Sequence, residues 1–519
     1  MSSYIRSNFP ELSKSVSALG AAFATVLALF ISPSPAQTSP EQMRAHPEYT
    51  ASNYLAYPEP EKNVRYTRAP AGYKPFYISH YGRHGSRYHH SADDYNYLLE
   101  TLQKADSAQA LTLDGKRLLI AAQLLAKKAA PRAGDLTQAG VSQHQGIARR
   151  MVKNFPDIFK AGKAKGSKAP RVDAFSSTSG RCIVSMAAFA QAMGAVAPQV
   201  EFRFDSGKDL MSFICTYDWG DMEYTRPEAY TAESEKLWAA VDSRPLMLKL
   251  FNDTAYAGKN IDMGKFYNKL FEIKSSMQGM DAPLKETLHA NLCDVKTGKC
   301  SDILDSLFTV EESITRWKAQ NAWWYSLLGT SPLQNTTKGI DYARGTLENI
   351  IGEANRAIAT GTTAATLRFG HDTGILPLAG LMQLSVASAK VEDLSKLDEQ
   401  WNDFRIIPMA ANLQIVFYKK PGASSPSKNK GSKKIAGTDT PKSEDILVKF
   451  LYNEREVTAP IPCEADSTHE GSPEKVKSDA ESKKPLKGKA KKPVSRCPAA
   501  PYYRWSDVKT FYKEILDRP

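Results

Sequence analysis

Cysteine is scarce in this chain: there are six among 519 residues. No two of them form a Cys-x-x-Cys pair, so a structural zinc site is poorly supported. Apolar runs long enough to approach a membrane span are scarcer still. Only one, from Ala18 to Ile31, comes near, and nothing comparable follows it. No internal repeat is present, as a repeat architecture would require. Acidic residues fall short of basic ones, 56 against 68, which gives a net charge of +12. That excess invites a nucleic-acid reading, but its placement weakens the idea. Residues 419–445 hold seven lysines against three acids, and residues 464–496 hold nine basic residues against six acids. Two low-complexity stretches thus carry seven of the twelve excess charges. The remainder suits an anionic small molecule at least as well as a polynucleotide.

The apolar run follows Arg6 and Lys14 and ends at Ser34-Pro35-Ala36, with small residues where a signal peptidase cuts. Residues 1–36 therefore read as a secretory signal peptide, with an uncleaved anchor as the alternative. The expected location is the periplasm, the extracellular space or a secretory lumen. Export gives the even cysteine number meaning. Cys293 and Cys300 enclose a turn-like loop, Cys463 and Cys497 bracket the second lysine-rich stretch, and Cys182 and Cys215 remain by elimination. For Cys182 a buried helix thiol is the equal alternative.

At 519 residues the chain is long for one compact domain, and a main domain with a large insertion is expected. Lys74 to His80 and Pro170 to Ser177 read as strands, as do Ala364 to Gly370, Asn412 to Tyr418 and Ile446 to Tyr452. The last two alternate like partners of a hairpin joined by the first lysine-rich stretch. Helices are predicted over Tyr95 to Lys128, from a Thr137 cap through Gln143 to Phe155, over Cys182 to Met193, over Ile340 to Ala359, and over Tyr503 to Ile515. From Phe213 to Pro332 helical spacing with aromatic anchors (Trp238, Phe251, Phe266, Phe271, Trp317, Trp323, Trp324) runs without strand-like alternation, as an inserted helical domain would. The expected division is 37–212 and 339–519 for an α/β domain in two parts and 213–338 for the insertion, with 420–444 and 464–496 disordered.

After the first predicted strand comes Arg83-His84-Gly85-Ser86-Arg87, one imidazole between two guanidiniums on a glycine-bearing loop. Two planar, permanently charged groups can hold a phosphate beside a nitrogen nucleophile. They also disfavour protonation of that nitrogen, and only a neutral imidazole can attack phosphorus. Two other strand ends offer complementary chemistry. Arg181 opens a helix after Ser177-Thr178-Ser179-Gly180, where guanidinium and helix dipole can converge on one anion. His371-Asp372 follows the strand ending at Gly370, and could supply a phosphate donor and a proton for the leaving oxygen.

These three elements resemble the RHGxR, central-arginine and HD motifs of the histidine acid phosphatases, the second branch of the histidine phosphatase superfamily. Gly134-Asp135-Leu136-Thr137 and Leu451-Tyr452-Asn453-Glu454 are similar to further family signatures. The resemblance implies an α/β fold, a phosphoglycerate-mutase-like mixed sheet sandwiched by helices with an inserted helical cap. It also implies hydrolysis of phosphate monoesters through a phosphohistidine without metal or other cofactor. His84 matches the nucleophile, Arg83, Arg87, Arg181 and His371 the phosphate binders, and Asp372 the proton donor. Two departures bear on substrate: His89 stands where the family's RHGxRxP has proline, and the donor motif is His-Asp, as in phytases and glucose-1-phosphatases. The multiple inositol-polyphosphate phosphatases, which the first motif resembles most, usually carry His-Ala-Glu. Inositol polyphosphates are the leading substrate class, with sugar phosphates or a broad acid-phosphatase range as the alternative.

Two readings of other classes compete. One is a metal-dependent hydrolase built on His80, His84, His89, His90, Asp93 and Asp94, although arginines pressed against metal ligands would serve no purpose there. The other is a catalytically idle anion-binding protein, which the filled nucleophile and donor positions disfavour. No nucleic-acid partner is expected, because the lysine-rich stretches read as solvated inserts, and no membrane anchor is expected once the signal is removed.

Overall fold

The computed structural model describes residues 40–60, 64–160, 169–214, 228–291, 303–334, 338–420, 446–463 and 497–518. Its centre is an eight-stranded sheet of order β3-β2-β4-β1-β5-β6-β7, with β8 paired to β6. The strands are β1 (Lys74–Arg83), β2 (Arg171–Ser176), β3 (Glu201–Asp205), β4 (Thr363–Gly370), β5 (Asn412–Lys419), β6 (Leu447–Tyr452), β7 (Arg455–Val457) and β8 (Tyr503–Arg504). The first four in chain order run parallel to one another, β5 pairs antiparallel with β1, and β5 and β6 form the antiparallel hairpin. Sequence patterning placed β1, β2, β4, β5 and β6 but not the short edge strands. In β3, Glu-Phe-Arg-Phe-Asp, the residues are mostly exposed, and the sequence carries no expectation for so short a segment.

Strand periodicity sorts the core into two layers. Tyr77 and Tyr81 point to one face, with Leu413, Ile415 and Phe417. There they meet Leu347 of the helix Arg344–Thr360 and Trp505 of the helix Trp505–Leu516. Ile78, Val172, Leu367 and Val416 point to the other face, against Ile147 of the helix Gln138–Asn154 and Phe189 of the helix Gly180–Val196. Thr137 caps its helix as expected, accepting from the Gly140 amide.

A third core belongs to the helical layer. Tyr267, Leu270 and Phe271 of the helix Met263–Ser276 pack with Leu98 of Ala92–Ser107 and Leu118 of Leu113–Lys128. We propose 213–338 as the insertion in the chain, and its helices share this core with residues that precede it. Cys463 and Cys497 are joined by a disulfide with a Cα separation of 5.9 Å, as their spacing suggested. Cys182 is a buried thiol that donates to the Gly370 carbonyl at 3.2 Å. Cys215, Cys293, Cys300, the predicted signal segment and both lysine-rich stretches lie outside the described residues. Among the described residues no helix is long and apolar enough to cross a membrane.

Candidate active site

Parallel register explains why three distant motifs meet. Arg83, at the end of β1, pairs with Gly370 at the end of β4, and Ser176, at the end of β2, pairs with Phe369. The carboxyl ends of three strands are flush, and the loops that follow converge on one cleft, as ligand sites of open α/β sheets do. The His84 amide continues the ladder to the Gly370 carbonyl at 2.9 Å. Behind the loop, Ser86 N–H donates to Gln143 Oε1 at 2.9 Å and the Ser86 carbonyl accepts from Thr137 N–H at 2.9 Å. The Gly134–Thr137 signature is thus the backing of the His84 loop. Gly85 is required by close approach: a Cβ there would sit 2.6 Å from both Cα and O of Gly140. Gly85→Ala is expected to cost about 1–3 kcal/mol through overpacking and to lower turnover by shifting His84. Melting temperature and kcat, measured together, check this, and an unchanged pair of values would refute it.

His84 is buried, its Nδ1 2.9 Å from the Gly85 carbonyl. That contact selects the Nδ1–H tautomer and leaves the Nε2 lone pair for chemistry. Burial foremost, then Arg181, Arg83, Arg87 and His371, push its pKa well below the ordinary imidazole value. Sequence reasoning credited the flanking arginines; burial is the larger cause. His371 lies edge-on to His84 with ring centroids 5.6 Å apart. Its Nε2 is 3.1 Å from Ser177 Oγ and its Nδ1 3.3 Å from Arg181 Nη2. Burial and Arg181 lower it to about 4.

Arg87 and Arg181 line the cleft beside His84, His371 and Asp372. Arg83 lies beneath it, fully buried. Its Nη1 donates to the carbonyls of Asn53 and Ile407, each at 2.5 Å, and its Nη2 is 2.7 Å from Asp372 Oδ2. Asp372 also accepts from Asn53 Nδ2 at 2.8 Å. Burial raises its pKa, but Arg83, the Asn53 hydrogen bond and Arg87 together bring it down to about 2.

The cleft, about 660 Å³, has walls that sequence reasoning missed. One is the segment Pro47–Tyr54. Within it Ser52 has φ 58° and ψ −133°, a region essentially reserved for glycine that costs of order 1–3 kcal/mol. Tyr54 lies 5.0 Å from the Arg87 guanidinium and joins it to His89 Nδ1, 3.0 Å from its hydroxyl. The far wall comes from the insertion. Trp323 and Trp324 stand there with Phe271, and Glu272 Oε1 is 3.7 Å from Arg316 Nη2.

Of the metal-reading residues, the structure gathers His89, His90 and Asp94, whose ligand atoms lie within 4.8 Å of one another. These atoms have other partners: Asp94 Oδ2 is 2.7 Å from His89 Nε2 and 3.1 Å from Lys269 Nζ. His90 Nδ1 is 3.3 Å from the Tyr54 hydroxyl. An ammonium on the carboxylate competes with any cation. His80 is packed among Phe189 and Phe369, and Asp93 is exposed, so neither joins the group. The Pro-to-His departure at position 89 thus places a buried imidazole between Tyr54 and Asp94.

The sequence matches the histidine phosphatase superfamily, branch 2, over residues 82–453, and the chain belongs to that family; it is a phosphatase. No curated protein matches its sequence. Among solved structures, the multiple inositol polyphosphate phosphatase of Bifidobacterium longum in complex with inositol hexasulfate superposes with a TM-score of 0.61 at 17% identity, covering 81% of this chain and 95% of that one. The phosphate complex of the same enzyme gives a TM-score of 0.61 at 18% identity with the same coverage. The phytase from D. castellii gives 0.53 at 15% identity, covering 85% of each chain. At these identities the likeness is one of fold, and it matches the mixed α/β sandwich the motifs implied.

Proposed function

We propose that this chain hydrolyses phosphate monoesters through a covalent phosphohistidine on His84. The observation that carries the reading is a neutral, buried imidazole with its Nε2 unencumbered, facing a cleft with Arg87, Arg181, His371 and Asp372 around it. In this mechanism Arg87, Arg181 and His371 hold the phosphoryl oxygens, and His84 Nε2 displaces the ester oxygen in line. Asp372 protonates that oxygen as it departs. Water then attacks the phosphohistidine, giving its proton to Asp372, and inorganic phosphate leaves. Arg83, held beneath the cleft, fixes Asp372 and adds positive potential.

With its pKa near 2, Asp372 is ionised in the empty site, so its proton arrives with the substrate. A phosphate monoester loses its second proton near pH ~6. The monoanion can pass that proton to Asp372 on binding, whereas the dianion has none to pass. The depressed pKa of His84 keeps the nucleophile neutral on the acid side. kcat/KM for an alkyl phosphate is therefore expected to hold through mildly acidic pH and to fall about tenfold per unit above ~6. A profile flat to pH 8 would count against this route for the proton.

Inositol polyphosphates are the leading substrate class, supported by the motif resemblance and by the relatives solved with phosphate and inositol hexasulfate. A monoester of an uncharged alcohol is the second reading, favoured by the far wall: one guanidinium paired with one carboxylate beside two tryptophans. A phosphate-release screen of the mature protein against inositol hexakisphosphate, sugar phosphates, nucleotides and an aryl phosphate decides. No release from any of them would sink the enzymatic reading in favour of an anion binder. We also propose export with cleavage after Ala36. Mass spectrometry is expected to show a terminus near Gln37 and a Cys463–Cys497 bridge; an intact Met1 with six free thiols would contradict it.

A further inference from the structure

Asp403 is fully buried at the start of the short helix Asp403–Ile406. Its Oδ1 accepts from Trp317 Nε1 at 2.9 Å and from the Phe404 amide at 2.7 Å, and its Oδ2 accepts from the Ser52 hydroxyl. Asn321 Oδ1 in turn accepts from the Asp403 amide at 2.8 Å. Among the described residues no cation forms an ion pair with it. Arg316, whose charge acts on it, is bonded to Asn268 Oδ1 and Gln320 Oε1 and paired with Glu272. A buried carboxylate without an ion-pair partner is costly, and an apolar residue would fill the space more favourably. What an apolar residue could not do is accept the three donors, and of these the Ser52 hydroxyl is the one that leads toward the cleft.

That hydroxyl belongs to a residue in a glycine-type conformation, φ 58° and ψ −133°. Such a conformation persists where surrounding bonds over-determine it, and it clusters at functional sites. The next residue, Asn53, is the one whose amide donates to Asp372 Oδ2 at 2.8 Å and whose carbonyl accepts from Arg83 Nη1 at 2.5 Å. Relaxing residue 52 into an ordinary backbone region would rotate the peptide that follows it and carry both contacts of Asn53 away. We propose that Asp403 is a positioning residue for the proton donor, holding Ser52 in the left-handed turn that aims Asn53 at Asp372. This rests on the reading of Asp372 as the acid.

The test compares glycerol 2-phosphate, whose alkoxide leaves poorly without a proton, with 4-nitrophenyl phosphate, whose phenolate leaves readily. In Asp403→Asn the side-chain oxygen can keep Trp317 and Phe404, but the group facing Ser52 becomes a donor, so the hydroxyl must turn its proton away and the charge-assisted bond gives way to a weaker neutral one of reversed direction. The phosphorylation rate on the glycerol ester is expected to fall about 10- to 100-fold more than on the aryl ester, the scale of an ångström-level misplacement. Ser52→Ala, which removes the hydroxyl and leaves Asp403 in place, is expected to show the same split and serves if the asparagine variant folds poorly. Glycine adopts the turn without an anchor, so Ser52→Gly combined with Asp403→Asn is expected to recover most of the lost ratio. Equal slowing of both esters in either single variant, or no recovery in the double variant, overturns the proposal. Asp372→Asn runs alongside. If it shows no split, the acid assignment itself has failed, and the proposal falls with it for that separate reason.

Discussion

Replacing His84 by alanine is expected to reduce phosphate release by at least ~10³-fold while leaving the fold intact, by analogy with removal of other catalytic nucleophiles. The fold should survive because the ring's one hydrogen bond is to its own neighbour's carbonyl, Gly85 O. The loop is held instead by backbone and Ser86 contacts to Gln143 and Thr137. Losing the imidazole removes the nitrogen proposed to form the P–N bond, and the arginines left behind can bind phosphate but not turn it over. Phosphate binding by the alanine variant should therefore persist, and unchanged circular dichroism should accompany the loss. In the wild type, rapid quench is expected to trap an acid-labile phosphoenzyme. Near-normal turnover in the alanine variant would remove His84 from the mechanism.

Asp372→Asn is expected to produce the second-largest effect, and a selective one. General-acid assistance is typically worth ~10²–10⁴-fold. Sugar and inositol esters need all of it, because their alkoxides leave poorly, whereas an aryl phosphate leaves as a phenolate and needs little. The geometry sharpens the expectation. Asp372 Oδ2 accepts from both Arg83 at 2.7 Å and Asn53 at 2.8 Å, and its Oδ1 accepts from the Thr373 amide at 3.0 Å; an asparagine can place its oxygen at only one of these two positions, and its amide would face a donor at the other. Some loss through misorientation is therefore expected on both ester types, with the alkyl loss exceeding it by at least tenfold. Phosphate affinity should hold or improve, since a negative charge beside the anion is removed. Equal slowing of alkyl and aryl esters in the phosphorylation step would make Asp372 a positioning residue and send the search for the acid to the insertion, where Glu272 lines the cleft.

The chemistry of the site was legible in sequence because each part sits in a short local pattern at a strand end. Arg83 to Arg87, Arg181 and His371-Asp372 each follow a strand predicted by β-branched or apolar runs, and the structure brings all of them to one place. Their division of labour was less legible. Arg83 and Arg87 look equivalent in the motif, yet one is locked under the cleft by backbone carbonyls and the other lines it. Only their positions, at the end of β1 and on the loop after it, separate them.

The walls of the cleft were not legible at all, for physical reasons. Pro47 to Tyr54 has neither helical nor strand periodicity, and Asn53 joins the site through Arg83 and through Asp372, 319 residues away. Asp403 likewise reads as an ordinary helix-start carboxylate until Ser52, 351 residues distant, is seen bonded to it. Arg316 and Glu272 fall on the polar faces of amphipathic helices, where a charged residue is expected to be solvated. By itself the sequence determined five of the strands and the class of chemistry, and it singled out His84 and Asp372 as the candidate nucleophile and donor, since these depend on residue type and local spacing. The tertiary structure decided how three strand ends stand flush, how deeply His84 is buried, which arginines line the cleft and which groups contact Asp372. Those depend on register and on contacts across hundreds of residues, which no local pattern encodes.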